Sequence, residues 1–215
     1  MENPQTLPSR KGIRLFRDFR VPDPDKDNEA RIQELKHRFI ELISNEFLEA
    51  DKPFDISDVL KPKLLFIFNW TMGIGINIRD NKGIQLFGEI GLGKSCILKA
   101  THNLISEIYE CNSKYITSNN LARLFRNSDD ESAIRINHLI FCQLLFIDDI
   151  GTEDRKVFDS FPIQEIIRER YDRRKITSYT TNLNRKELID RYTYSIEDKL
   201  NHGTYRIEFK GISKR

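Results

Sequence analysis

Between Ile32 and Phe47 the apolar positions fall three and four apart: Ile32, Leu35, Phe39, Leu42, Ile43 and Phe47. That spacing predicts one stripe of a long helix. A second helix is predicted from about Lys61 to Thr71, with Leu64, Leu65, Ile67 and Phe68 apolar and Pro62 tolerable in the first turn. Gly73 and Gly75 close it. From there short apolar runs alternate with helical patterns. Strands are predicted at Gly83 to Gly88, Lys114 to Thr117, Leu144 to Ile147, Ile176 to Thr181 and Thr204 to Phe209. Helices are predicted at Lys94 to Glu110, Asn119 to Arg126, Glu131 to Cys142, Ser160 to about Arg174, Arg185 to Tyr192 and Ser195 to Asn201. Leu144 to Ile147 is continuously apolar, as in a strand buried on both faces. Strands alternating with helices predict an α/β fold, a parallel sheet flanked by helices. No internal repeat or low-complexity tract interrupts it.

Composition narrows the classes. The 215 residues are 39% apolar and 32% charged, with a formal net charge of +2. Such a chain is too apolar and too nearly neutral to be disordered throughout. At this length roughly 70% of the unfolded surface can be buried, enough for one good core. Near-neutrality argues against a generally basic coat but leaves room for a local basic surface. The apolar stretch from Leu64 to Ile78 is broken by Asn69, Thr71 and Asn77, and the opening residues hold no apolar signal core. Cys96, Cys111 and Cys142 show no metal-ligand spacing and read as reduced thiols. A cytoplasmic protein without a membrane partner is the expectation.

Three of the ten glycines fall within six residues. Gly88-Glu-Ile-Gly91-Leu-Gly93-Lys94-Ser95 matches the phosphate-loop pattern in full. Glycine backbone can bring N–H groups close to phosphate oxygens, and the following helix aims its positive end at the same anion. Lys94 would neutralise the outer phosphates of ATP, and Ser95 would ligate Mg2+. Gly88, Gly91, Gly93, Lys94, Ser95 and Cys96 are thus the candidate cofactor-binding run. A chance match is expected in roughly one random chain in a hundred of this length. The strand before it and the helix after it lower that further.

The run Leu144-Leu-Phe-Ile147-Asp148-Asp149 ends a buried strand in two carboxylates, at the sheet edge where a phosphate loop would also sit. Asp148 is the candidate Mg2+ partner and Asp149 the candidate base that orients the attacking water. Asn182 ends the next strand in Thr180-Thr-Asn182. It either holds the water or γ-phosphate, or caps the following helix.

This order resembles the AAA+ ATPases and, more narrowly, the DnaC-type replicative helicase loaders and the IstB-type transposition helpers. The resemblance rests on Gly83 to Ser95, on LLFIDDIGTE from Leu144 to Glu153, on TTNLN from Thr180 to Asn184, and on Gly211-Ile-Ser213-Lys-Arg215. It implies a P-loop AAA+ sheet with a minimal C-terminal lid. It also implies Walker roles for Lys94, Ser95, Asp148 and Asp149, and a sensor role for Asn182. Arg215, or Lys214, would reach the γ-phosphate. The family's arginines that act on a neighbouring subunit's ATP are missing: Ser195 and Lys199 stand in their places. Lys lacks the planar fork of Arg, so Lys199 would be a partial substitute and hydrolysis weak or partner-stimulated.

The chain divides into a loosely ordered tail (1–25), a helical N-terminal region (26–79) and an AAA+ ATPase domain (80–215). The basic run Arg10, Lys11, Arg14, Arg17 and Arg20 is either solvated or a contact surface. The apolar stripe of the helical region either docks a partner or packs on the ATPase core. Arg123, Phe125, Arg126 and Arg135, with Arg168, Arg170, Tyr171, Arg173, Arg174 and Lys175, either face single-stranded DNA or are ordinary solvated helix faces. The expected function is a helicase loader working as an ATP-dependent homo-oligomer on a replicative helicase or a transposase. A nucleotide-dependent scaffold with little hydrolysis is the alternative, and a small-molecule kinase a distant third.

Overall fold

Leu144 and Phe146 face one layer of helices, while Leu145 and Ile147 face the other. That alternation is what builds a two-sided core from an unbroken apolar run. The computed structural model describes residues 27–75, 80–109, 111–127, 129–153 and 161–211. The basic run from Arg10 to Arg20, the Ser160 cap, Lys214 and Arg215 lie outside the described residues.

Among the described residues the strands are β1 (Gly83–Gly88), β2 (Ser113–Thr117), β3 (Leu144–Ile150), β4 (Ile176–Thr181) and β5 (Thr204–Phe209). The helices are α1 (Asp27–Glu49), α2 (Lys61–Met72), α3 (Lys94–Ile108), α4 (Ser118–Arg126), α5 (Asp130–Phe141), α6 (Phe161–Asp172), α7 (Arg185–Tyr192) and α8 (Tyr194–His202). The strands pair in the order β2-β3-β4-β1-β5, every neighbour parallel. The expected α/β sheet with helices on both faces is the observed one. β3 runs three residues beyond the predicted end at Ile147, because the Asp pair is carried in the strand rather than in the loop after it.

α1, α2 and α3 cover one face, and α4 to α8 the other. Of the predicted stripe on α1, Leu35, Phe39, Leu42, Ile43 and Phe47 are buried, with Ile32 partly so. The helix lies along α3, where Arg38 bonds Glu107 at 2.7 Å and Glu46 takes both Lys99 (2.8 Å) and Asn103 (3.0 Å). The stripe therefore packs on the chain's own sheet layer, the second of its two expected fates. α2 ends at Gly73, whose left-handed φ of +66° lets the Ile74 N–H return to the Asn69 carbonyl at 2.8 Å. Among the described residues no helix is long and apolar enough to cross a membrane.

Candidate active site

β1 ends at Gly88, and α3 begins at Lys94 with Gly93 as its N-cap. Between them the loop turns over Gly88, Gly91 and Gly93, at φ of +123°, +86° and +78°. Two positions leave no room for any other residue. A Cβ on Gly88 would stand 2.0 Å from the Phe209 carbonyl oxygen, and one on Gly93 2.0 Å from Cζ of Phe47. The loop is thus braced by the end of β5 on one side and by α1 on the other. The Glu89 N–H donates to the Phe209 carbonyl at 3.1 Å, and the Gly211 N–H to the Glu89 carboxylate at 3.4 Å.

Lys94 is buried, and its Nζ donates to the carbonyls of Gly88 (3.0 Å) and Glu89 (2.6 Å). The ammonium is held inside the curl of the loop. Ser95 is half-buried in the first turn of α3. The Cys96 side chain belongs to the core beneath, and burial pushes its thiol pKa up, so its backbone N–H is what it can offer a phosphate. All three cysteines are free thiols.

Two strands away, β3 brings Asp148 and Asp149 to the same C-terminal edge of the sheet. Asp148 is buried, and its Oδ1 accepts the Thr180 hydroxyl at 2.5 Å. Tyr115 on β2 lies near this carboxylate, and burial together with the nearby charge pushes its phenol pKa up. Asp149 adopts a left-handed backbone, φ +57°, and is half-exposed. Its N–H donates to Thr180 Oγ1 at 2.8 Å, and its carbonyl accepts from the hydroxyls of Ser118 (2.7 Å) and Thr152 (2.9 Å). Asn182 stands half-buried just past β4. The α7 cap is Asn184, in a reciprocal capping box with Glu187, so Asn182 is released from that duty. A serine hydroxyl and a buried carboxylate are hard oxygen donors, the type that Mg2+ takes alongside phosphate and water.

Several residues that shape the site were not read from the sequence. Glu153 closes the motif LLFIDDIGTE as a buried carboxylate. It accepts the Gly151 N–H at 2.9 Å and the Tyr192 hydroxyl, and pairs with Arg191 at 3.5 Å. Thr180 and Thr181 both turn their hydroxyls onto β3, Thr181 onto the Ile150 carbonyl at 2.7 Å. The available signal was composition: β4 is Ile-Thr-Ser-Tyr-Thr-Thr, a buried strand unusually rich in hydroxyls that must find partners.

Other sequence candidates separate in space. Lys199 lies on the far side, near the starting ends of β4 and β5. There its Nζ meets Asp172 at 2.8 Å and the Tyr171 ring at 4.4 Å. It lines a cleft of about 590 Å³ with Tyr171, Arg174, Thr177, His202 and Thr204, apart from the phosphate loop. Arg170 is not a surface residue. It is fully buried and fans onto the carbonyls of Leu139 (2.6 Å), Ile140 (3.1 Å), Cys142 (3.0 Å) and Ile176 (2.7 Å), and onto Thr177 Oγ1 (2.9 Å). Burial pulls its pKa down. The reading of Arg170 as a DNA contact is corrected: it serves the carbonyl end of α5. Arg135 and Arg168 are paired with Glu131 and Glu165 on their own helices, and Arg173, just past the end of α6, with Glu169. Arg123 and Arg126 are exposed in the last turn of α4. Beside them Phe125 meets the exposed ring of Phe161, centroids 6.2 Å apart.

No protein-family model matches the chain, and no curated protein matches it in sequence. Solved structures do match it in fold. The DnaC helicase loader is 22% identical, with 74% of this chain and 94% of that one covered and a TM-score of 0.61. DnaI is 20% identical over 74% of this chain and 88% of its own, with a TM-score of 0.59. The replication initiator DnaA, bound to AMPPCP and single-stranded DNA, is 16% identical over 75% of this chain and 49% of its own, with a TM-score of 0.58. The five parallel strands, their order and these likenesses together give the chain the P-loop AAA+ α/β fold that helicase loaders and replication initiators share.

Proposed function

We propose that the chain is an ATP-binding and hydrolysing helper ATPase, most like a replicative helicase loader. One observation carries this reading. A braced glycine loop with a buried lysine and an Asp pair whose second member, Asp149, has a left-handed backbone occupy the same edge of one parallel sheet. Residues 80–215 form the ATPase domain, with α1 and α2 of the 26–79 helical region packed on its sheet.

In this reading the N–H groups of Gly91, Gly93, Lys94, Ser95 and Cys96 bind the phosphates at the positive end of α3. Lys94 exchanges its bonds to the loop carbonyls for bonds to the β- and γ-phosphates. Ser95 and Asp148 would hold Mg2+, which when bound neutralises charge that develops on the phosphates. Asp149 orients and deprotonates the attacking water, and Asn182 fixes the water or γ-phosphate. Arg215, or Lys214, both outside the described residues, would supply a further cation to the γ-phosphate. Exposed Arg123 and Arg126, with Phe125 and Phe161 between α4 and α6, suit a single strand: cations for its backbone, rings for its bases. The structures named for a helicase loader and for a DnaA–DNA complex favour the same partners, a replicative helicase and single-stranded DNA. The chain would act as an ATP-dependent homo-oligomer.

A second reading has its own observation. Lys199 is held by Asp172 and Tyr171, and Ser195 replaces the other expected arginine, so neither expected position offers an uncommitted cation to a neighbour's nucleotide. That favours a scaffold or an IstB-like transposition regulator that binds ATP with little hydrolysis. ATP turnover measured with and without single-stranded DNA separates the two. Turnover that responds to DNA supports the loader. ATP binding with no turnover under either condition supports the scaffold.

A further inference from the structure

Ile147 of β3 stands beside Tyr179 of β4, and Ile150 beside Thr181. Two residues of β3, Asp148 and Asp149, therefore face one residue of β4, Thr180. This is a bulge, a device that lifts a residue off the ladder and re-aims its side chain. The Asp149 N–H, taken off the ladder, finds Thr180 Oγ1 at 2.8 Å. The same hydroxyl donates its one hydrogen to Asp148 Oδ1 at 2.5 Å. A hydroxyl has one hydrogen and two lone pairs, so both bonds form together only with that hydrogen aimed at Asp148.

Other buried threonines spend their hydroxyl hydrogen on a backbone carbonyl, Thr181 on that of Ile150. Thr71 and Thr101 each donate to the carbonyl four residues back in their own helix, and Thr204, at the start of β5, donates to the Leu200 carbonyl of α8. Thr180 is as deeply buried, yet it bonds both members of the Asp pair, 31 and 32 residues away. Asp149 meanwhile holds φ +57°, a conformation that residues other than glycine rarely adopt and that persists only where neighbours hold it.

We infer that Thr180 is a positioning residue: its single hydroxyl sets the Asp148 carboxylate for the metal and holds the Asp149 backbone in the bulged conformation that aims its carboxylate at the attacking water. This rests on the ATPase reading and adds to it a residue that touches neither nucleotide nor metal. A residue with merely structural weight would lower stability and nucleotide affinity together. A positioning residue instead separates turnover from affinity.

The test compares the full chain with Thr180→Val, which keeps the shape and removes the hydroxyl, and Thr180→Ser, which keeps the hydroxyl. ATP affinity is measured in EDTA and in Mg2+, and turnover at saturating ATP. Thr180→Val is expected to bind ATP in EDTA within about threefold of the parent. It is expected to lose about tenfold in turnover and most of the Mg2+-dependent gain in affinity, on the scale at which tenfold is one hydrogen bond. Thr180→Ser is expected to recover both. If the valine chain does not fold, Thr180→Cys replaces it, differing from the serine variant by one atom. A valine or cysteine variant with parental turnover and parental Mg2+ gain overturns the inference alone, as does a serine variant as poor as the valine one. A parent chain that binds no ATP overturns both the inference and the reading beneath it. A parent that binds without turnover still decides the inference, through the Mg2+ gain.

Discussion

Replacing Arg170 by methionine keeps most of the side-chain volume and removes every donor of the guanidinium. Three carbonyls at the end of α5 (Leu139, Ile140 and Cys142) and the Ile176 carbonyl lose the guanidinium, and Leu139 keeps only the weak Cys142 thiol at 3.3 Å. The last carbonyls of a helix have no intrahelical donor, and water cannot reach these. A buried polar group left without a partner costs about 1–3 kcal/mol. Three such groups at the α5 end would cost roughly 3–9 kcal/mol if nothing else changed. Arg170 is fully buried, with no carboxylate among its hydrogen-bond partners, so removing it also relieves a desolvation penalty of several kcal/mol. The net expected loss is about 3 kcal/mol, or a fall in Tm of about 6–12 °C for a chain of this size. Urea unfolding at equilibrium, checked by thermal melting, reads it. Arg170→Lys is expected to recover less than half, because an ammonium cannot span the acceptors that a planar fork reaches. Arg168→Ala, which breaks only an exposed pair with Glu165, is expected to stay within about 0.5 kcal/mol of the parent, and Arg173→Ala, which also gives up a contact of the guanidinium with the Phe141 ring at 5.2 Å, within about 1 kcal/mol. A loss below about 1 kcal/mol for Arg170→Met would refute the reasoning, since that is within the range of a single hydrogen bond.

Gly93→Ala places a methyl 2.0 Å from the Phe47 ring at φ +78°, so both the melting temperature and ATP affinity should fall. Adding Phe47→Leu should recover part of the melting loss, and no recovery would show that the ring is not what the methyl meets. Arg123→Ala with Arg126→Ala should weaken single-stranded DNA binding and flatten its log–log salt slope by about 1.4, the value for two phosphate contacts. The paired Arg168 and Arg173, changed together, should flatten it less; the reverse order would move the DNA face to α6. Lys199→Ala should leave turnover per subunit within about twofold, on the scale of RT, because its charge is already taken by Asp172. A tenfold loss would place Lys199 on a neighbouring subunit's nucleotide.

The phosphate loop was legible because its chemistry is local: eight consecutive residues carry the turn, the charge and the helix start. The sheet was legible from alternation, and the α1 stripe from its period. What the stripe buries against was not, since two surfaces of equal apolarity look alike until α3 is placed. Arg170 shows the same limit more sharply. Its neighbours Arg168, Glu169, Asp172 and Arg173 give it the texture of a solvated face, and only α5, some 30 residues earlier in the chain, explains its burial. That Asn184 rather than Asn182 caps α7 could not be told until Glu187 closed the box on Asn184. The part played by Thr180 depends on a strand register, and a slip of one residue is invisible in composition.

The most direct measurement of the central claim is ATP affinity of the parent chain against Lys94→Ala, by calorimetry, with melting followed in parallel. In the proposed reading Lys94 would give charge-assisted bonds worth about 1.5–3 kcal/mol to phosphate, so its loss should weaken ATP by roughly tenfold to a hundredfold or more. The parent should also be stabilised by ATP and the variant much less. Equal ATP affinity in the two chains, or no ATP binding by the parent, would contradict the assignment of this loop as a nucleotide site.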